Sequence, residues 1–232
     1  MPIPGLSWPS SWPWANNFGY YRYVKNPAPR PSRAERQAQT REKLIAVARD
    51  LFIADGYAAT SLDKVAEAAG FSKGAVYSNF SGKEELCMEV IDAIHADLLL
   101  GVVEAFTAET DFDGRIEAFT RWARTRLGNP LETALEAEFS AAARQSAYVA
   151  EQLRNRHRAI TAEISRLLRT VVEEAGYEVA FDPDKAAVAL LSLGIGAGAM
   201  RSLDSRLDVD IVGETIRTLL RGVTRPARLP TR

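Results

Sequence analysis

The run TSLDKVAEAAGFSKGAVYSNFSGKEEL, Thr60 to Leu86, reads as two short helices joined by a tight turn and followed by the start of a longer helix. Thr60 opens a T-x-x-D pattern with Asp63, an N-cap with an acidic partner near the helix start. Leu62, Val65, Ala66 and Ala69 then recur at helical spacing. Gly70 stands where that helix must end, because glycine accepts the left-handed backbone of the position after a helix. Ser72 is the N-cap of a short helix from Lys73 to Tyr77. Ala75 and Val76 turn to the core, and Lys73, Gly74 and Tyr77 turn outward. Ser81 with Glu84 forms a second capping box, so another helix begins near Gly82.

Working upstream, Arg33 to Ala54 is a further helix, with Leu44, Val47, Ala48, Leu51 and Phe52 as one apolar stripe and Gly56 as its stop. Three helices with a tight turn between the second and third match the geometry that lays one helix in the DNA major groove. At this point the run resembles the N-terminal domain of TetR-family transcriptional regulators. The matching residues are the stripe ending in Phe52, Gly56-Tyr57, Thr60-Ser61, Val65-Ala66, Ala69-Gly70, Ser72-Lys73-Gly74, Tyr77-Ser78-Asn79-Phe80 and Lys83-Glu84-Glu85-Leu86. The resemblance covers roughly residues 37–97. It implies an all-α chain with a helix-turn-helix DNA-binding domain over 37–97 and a helical ligand-binding and dimerisation domain over 98–226. Residues 1–32 and 227–232 are read as tails.

Carried over residue by residue, the resemblance implies DNA contacts from Thr60, Ser61, Ser72, Lys73, Gly74, Ala75, Tyr77, Asn79 and Lys83. Tyr77 and Lys83 are assigned to phosphates, and Lys73 to a guanine edge or a phosphate. Gly74 would allow close approach to the groove.

Charge agrees with a nucleic-acid end. Residues 22–83 hold eleven Lys/Arg against six Asp/Glu, and residues 84–232 hold 18 against 24. Taken alone, such a split also arises by chance. The single cysteine, Cys87, excludes an intramolecular disulfide and a multi-cysteine metal site. It reads as a small buried residue, with a redox-sensing thiol as the alternative. His95 and His157 lack ligand spacing and read as surface or pocket-lining residues. Ala186 to Met200 is the longest charge-free apolar-rich run and reads as too short to cross a bilayer. The N-terminus has no secretory h-region, so the expected place is the cytoplasm.

Seven of the eleven prolines and three of the four tryptophans fall in residues 1–32. That tail reads three ways: an inert stretch or start-site artefact with initiation near Val24, a basic arm (Arg22, Lys25, Arg30, Arg33, Arg36) for the minor groove or phosphates, or an aromatic docking patch. Beyond Leu86 the sequence is helical throughout: Glu84–Ala108, a break at Thr110–Gly114, then Arg115–Leu127, Leu131–Gln145, Ala147–Ala175, Pro183 to about Leu203 and Val209–Val223. The last helix is read with Ile211, Val212, Ile216, Leu219, Leu220 and Val223 on one side. No strand alternation is read.

Gly194, Gly196 and Gly198 crowd one helix with small residues, which costs roughly 1 kcal/mol each against alanine and fits close backbone approach. The resemblance implies a four-helix homodimer interface from the last two helices, with these glycines, Ile216 and Leu220 in it. The other reading is a bend or pocket wall within one subunit. Phe119, Trp122, Phe139, Tyr148 and His157 are the candidate ligand pocket, with Arg121, Glu138 and Gln145 as polar anchors. Taken singly, an aromatic on a helix is more often core than ligand-binding. The resemblance implies a repressor released from a palindromic operator by an unidentified small molecule, with movement transmitted through the fourth helix. The partners are double-stranded DNA and a second copy of the chain; no cofactor, metal or catalytic residue is read. An enzyme finds no Cys–His pair, metal cluster or P-loop. A DNA-binding architectural or cell-division factor that uses its C-terminal domain for protein partners is the alternative.

Overall fold

The structure, a computed structural model, describes residues 32–143, 146–174, 177–179 and 182–226, with the backbone alone at 143, 177–179, 220 and 222–226. The tails read at 1–32 and 227–232, apart from Ser32, and Gln145 lie outside the described residues. The chain divides into one unit up to Lys43 and a second from Leu44 onward. The elements are α1 (Arg33–Asp55), α2 (Leu62–Ala69), α3 (Lys73–Tyr77), α4 (Lys83–Thr107), α5 (Phe112–Arg126), α6 (Pro130–Ala143), α7 (Ala147–Glu174), β1 (Tyr177–Val179), α8 (Pro183–Leu203), α9 (Asp210–Val223) and β2 (Thr224–Pro226).

The first unit contributes only the leading turns of α1, exposed from Ser32 to Gln39. In the second unit the core forms two clusters. One gathers Leu44, Ala48 and Phe52 of α1, the inner faces of α2 and α3, the start of α4, and Leu135, Phe139 and Val149 of α6 and α7. The other joins Ala105 and Phe106 at the end of α4 to α5, α7, α8 and α9. α4 serves both, which is why it is apolar on several sides: eleven of its residues are buried, from Leu86 to Phe106.

Close helix contacts depend on missing side chains. A Cβ at Gly101 of α4 would overlap the Trp122 indole of α5, and one at Gly213 of α9 would overlap the Thr120 hydroxyl. Gly128, in the turn between α5 and α6, has φ +73°, and a Cβ there would lie 2.7 Å from the Gly198 carbonyl oxygen of α8. Arg201 of α8 donates to the Arg124 carbonyl at 2.7 Å, which satisfies the open C-terminal end of α5. Arg124 also grips Asp210 with two hydrogen bonds, 2.7 and 2.5 Å, tying α5 to α9.

Four expectations are corrected. Thr110–Gly114 is only partly a break, because Asp111 caps α5 by accepting from Gly114 N–H at 2.9 Å and starts the helix at Phe112. β1 and β2 pair antiparallel, Tyr177 opposite Pro226, a three-residue ladder too short to leave a period-2 signal. The apolar residues of α9 do not share one side: Val212 and Ile216 are buried, whereas Ile211 and Leu219 face outward. α8 has 21 residues and is, by length and composition, apolar enough to cross a membrane, because its ends add to the run counted between charges. In this fold it packs against α6, α7 and α9.

Gly128→Ala forces a side chain into the left-handed region and against a backbone carbonyl, so it should cost about 1–3 kcal/mol. Gly196→Ala, with nothing within 4 Å of the added methyl, should show no such loss. Thermal melts of the two variants check this, and equal melting temperatures would show that the turn yields freely.

Candidate nucleic-acid interface

The Ser61 side chain caps α2 by accepting from Lys64 N–H at 3.2 Å. Thr60, read from the sequence as that cap, instead turns inward. It is 1% exposed and donates its hydroxyl to the Gly56 carbonyl at 3.0 Å. Leu62, Val65, Ala66 and Ala69 bury one face of α2. Gly70, at φ 72°, closes it: Gly70 N–H reaches the Glu67 carbonyl at 3.1 Å and Phe71 N–H the Ala66 carbonyl at 2.9 Å, a Schellman pair. Ser72 then caps α3, accepting from Ala75 N–H at 3.2 Å, and Val76 and Phe80 seat α3 in the core. Asn79 Nδ2 donates to the Ala75 carbonyl at 2.7 Å and finishes α3. Ser81 bonds Glu85 Oε2 through both N–H and Oγ, at 2.8 and 2.7 Å, so Glu85 rather than Glu84 answers it.

The turn therefore presents Ser61, Ser72, Lys73, Gly74 and Tyr77 outward. Tyr77 is 58% exposed, and the space around Gly74 is open except for Ser72 Oγ at 3.8 Å. Lys73 pairs with Asp63, both exposed, so water and salt screen the pair strongly. Ala75 is half-buried, and Thr60 is not brought to this face. Lys83 lies to the side: its Nζ donates to the Ala58 carbonyl at 3.1 Å and sits 4.3 Å above the Tyr57 ring. Burial holds that ammonium below its ordinary pKa.

Gly70-Phe71-Ser72-Lys73-Gly74 also spells G-x-S-x-G, a pattern the motif reading above passes over. It is not a nucleophile elbow, which needs a preceding strand. Here a helix precedes it, and Ser72 Oγ is the cap of α3.

α6 grips the same module at two points. Glu138 Oε2 accepts from Tyr57 N–H at 2.8 Å, while the Tyr57 ring meets Phe139 edge-on at 5.5 Å and Phe52 at 5.8 Å. Burial pushes the Tyr57 hydroxyl up to about 12. Arg49 of α1 donates to Asp97 of α4 at 2.7 Å and to Glu132 of α6 at 2.9 Å, and Glu132 is only 7% exposed. Neither clamp was legible in the sequence, since the partners lie 81 and 83 residues apart. Cys87 is fully buried beside them, and burial pushes its thiol up. A neutral, enclosed thiol is a poor redox sensor.

Of the five pocket candidates, Phe119 and Trp122 meet, and the other three lie elsewhere. Phe119 stacks obliquely between Phe106 and Trp122, at 5.5 and 5.6 Å, within the second core cluster. Phe139 belongs to the first cluster and is 1% exposed, and Tyr148 is 58% exposed. His157 lines a surface groove of about 550 Å³ between α7 and α8, with Arg158, Thr161, Val188, Leu191 and Ser192. Arg121 is exposed, 3.8 Å from Glu109. His95, read with His157 as surface or pocket-lining, has its Nε2 3.0 Å from Glu136, and its buried Nδ1 has no partner among the described residues.

The small-residue helix also divides. Gly194 and Gly196 have open space before them, but Gly198 is buried, and a Cβ there would lie 3.5 Å from the Gly128 nitrogen. Ile216 is core, and the Leu220 side chain lies outside the described residues. The outward apolar residues of α8 and α9 are Val188, Ile195, Met200, Ile211 and Leu219, each 46–60% exposed, and Leu203 at 91%.

Residues 44–90, the stretch that builds this turn, match the family model of bacterial regulatory proteins, tetR family. This segment is similar to the DNA-binding domain of the tetR family. The transcriptional activator FasR of Mycolicibacterium smegmatis is 34% identical over 99 residues, 42% of this chain and 45% of FasR. The chain thus spans less than half the length of the curated relatives it matches first. A tetR-family transcriptional regulator from Pectobacterium atrosepticum superposes with a TM-score of 0.61 at 24% identity, over 85% of this chain and all of that one. A SmeT–triclosan complex gives 0.57 at 19%, over 84% and 98%. At these identities the likeness establishes the shared fold.

Arg49→Met should cost about 1–3 kcal/mol, because it leaves the Glu132 carboxylate buried without a cation. Adding Glu132→Leu should restore much of the loss. Denaturant melts of both variants check this, and equal stability of the single and double variants would show that the pair holds nothing.

Proposed function

We propose that this chain is a homodimeric, sequence-specific DNA-binding regulator, a repressor released from a palindromic operator by a small molecule. The observation that carries the reading is the capped α2–α3 turn, with Lys73, Gly74 and Tyr77 outward on a helix seated by Val76 and Phe80. A five-residue helix offers few base contacts, so one copy binds weakly and two copies on a palindrome supply the rest. Two-fold symmetry would set the recognition helices about one DNA turn apart, roughly 34 Å. Ser61, Ser72, Asn79 and Lys83 frame that surface. Lys83 must leave the Ala58 carbonyl to meet a phosphate.

The apolar outer face of α8 and α9, with Ile195, Ile211 and Leu219 exposed beside the open Gly194 and Gly196, supports a four-helix contact between two copies. The two α6 clamps support a coupling path from body to turn that adds to α4. A ligand binding one arrangement of the body better would shift the population and with it the spacing of the turns. The SmeT complex holds triclosan, which supports a small-molecule effector here. The relatives' names are those of transcriptional regulators, which favours regulation over an architectural role and over catalysis. The place of action is the cytoplasm, where the DNA lies.

Selection of genomic fragments by the purified protein at moderate salt should enrich one or a few palindromes. Uniform, salt-sensitive binding with no enriched sequence would sink the operator reading. Gly196→Leu should shift the protein toward monomer in light scattering; an unchanged dimer would take that stretch of α8 out of the interface.

A further inference from the structure

α1 runs for 23 residues, yet its buried residues, Leu44, Ala48 and Phe52, all lie in its second half. Ser32 to Gln39 is exposed throughout, and Thr40 to Lys43 adds no buried residue. The family match begins at Leu44, so neither core packing nor the shared module accounts for these leading turns. Exposed turns gain nothing from burial and are marginal on their own. These are held by a reciprocal cap: Glu35 N–H donates to Ser32 Oγ at 3.1 Å, and Ser32 N–H to Glu35 Oε2 at 2.6 Å.

The charges in these turns are sorted by side. At 3.6 residues per turn, Arg33, Arg36 and Arg41 fall within about 80° of the direction of Leu44, whereas Glu35 and Glu42 fall within about 20° of the opposite direction. The stripe that is apolar from Leu44 onward is thus cationic before it. Arg33 and Arg36 are exposed and make no ion pair among the described residues. The three arginines span about 12 Å along the helix axis at 1.5 Å per residue. Guanidinium groups suit phosphate oxygens because their planar donors meet two oxygens at once.

We infer that the leading turns of α1 are an auxiliary contact for the DNA backbone, a sequence-independent hold on duplex phosphates separate from the helix-turn-helix. The inference rests on the DNA-binding reading above and extends it to a part of the chain outside the family match. Duplex DNA is the occupant that the charge pattern fits: it offers a continuous row of phosphates to a one-sided row of arginines, and both carboxylates are turned away from it.

The test uses the full chain and a mixed-sequence duplex several turns long, since phosphate contacts operate without an operator. Binding is measured by fluorescence anisotropy over a salt series for the parent, for Arg33→Gln/Arg36→Gln, and for Arg154→Gln on exposed α7 as a charge-matched control. The slope of log affinity against log salt should fall by about 0.9 for each lost contact, close to 2 per chain in the double variant. It should hold in the control. Thermal melting should be the same for all three, because the changed side chains are exposed. An unaltered slope in the double variant, or no affinity of the parent for duplex at low salt, would overturn the inference. Whether selection enriches an operator is a separate readout and decides the regulator reading by itself.

Discussion

Tyr57 is the residue on which the geometry of the DNA-facing turn depends. It follows Gly56 at the end of α1, where the chain must reverse before α2 can begin. Its ring is held by Phe52 from α1 and Phe139 from α6, its upper face carries the Lys83 ammonium, and its N–H is taken by Glu138. Three helices, α1, α4 and α6, therefore meet at one residue. Displacing α6 along its own axis would move both the edge that Phe139 offers and the carboxylate that receives the N–H. The turn cannot ignore that, because a donor withdrawn from its acceptor inside a protein loses more than it would in water.

The polar ties differ in weight. Arg156 of α7 holds Asp92 of α4 in a place where burial raises the carboxyl's pKa, and the guanidinium opposes that rise. Arg49 and Glu132 are similarly enclosed. Pairs such as Lys64 with Asp55 lie in the solvent and contribute little. The partly enclosed pairs run between helices distant in sequence and hold α4 from two sides, whereas exposed ones, even those that link α5 to α9, are screened by water. The apolar girth of α4 supplies the larger share: eleven of its residues are buried, and like α7 it enters both core clusters.

What the sequence showed was whatever is encoded within a few residues. Gly70 and Ser72 announce the turn because backbone conformation and capping are local, and α7, α8 and α9 were legible from their stops. Thr60 and Ser61 were confused because both can cap, and only the buried environment of Thr60 tells them apart. Phe119 and Phe139 were grouped as a pocket because an aromatic on a helix looks the same whether it faces a cavity or another ring. Gly198 was grouped with Gly194 and Gly196 by spacing, but packing against Gly128, 70 positions earlier, separates it. Long-range partners such as Glu138 for Tyr57 leave no local trace at all.

Cys87 carries a consequence of a different kind. It is the chain's lone thiol, completely enclosed at the start of α4, with its proton held by the surrounding apolar side chains. A thiol in that state is inert while the core is closed. Its rate of alkylation is therefore a clock for excursions in which α4 parts from α1 and α6, counting openings too rare to alter the average structure. The protein carries, without any added label, its own gauge of how often its first core cluster comes open.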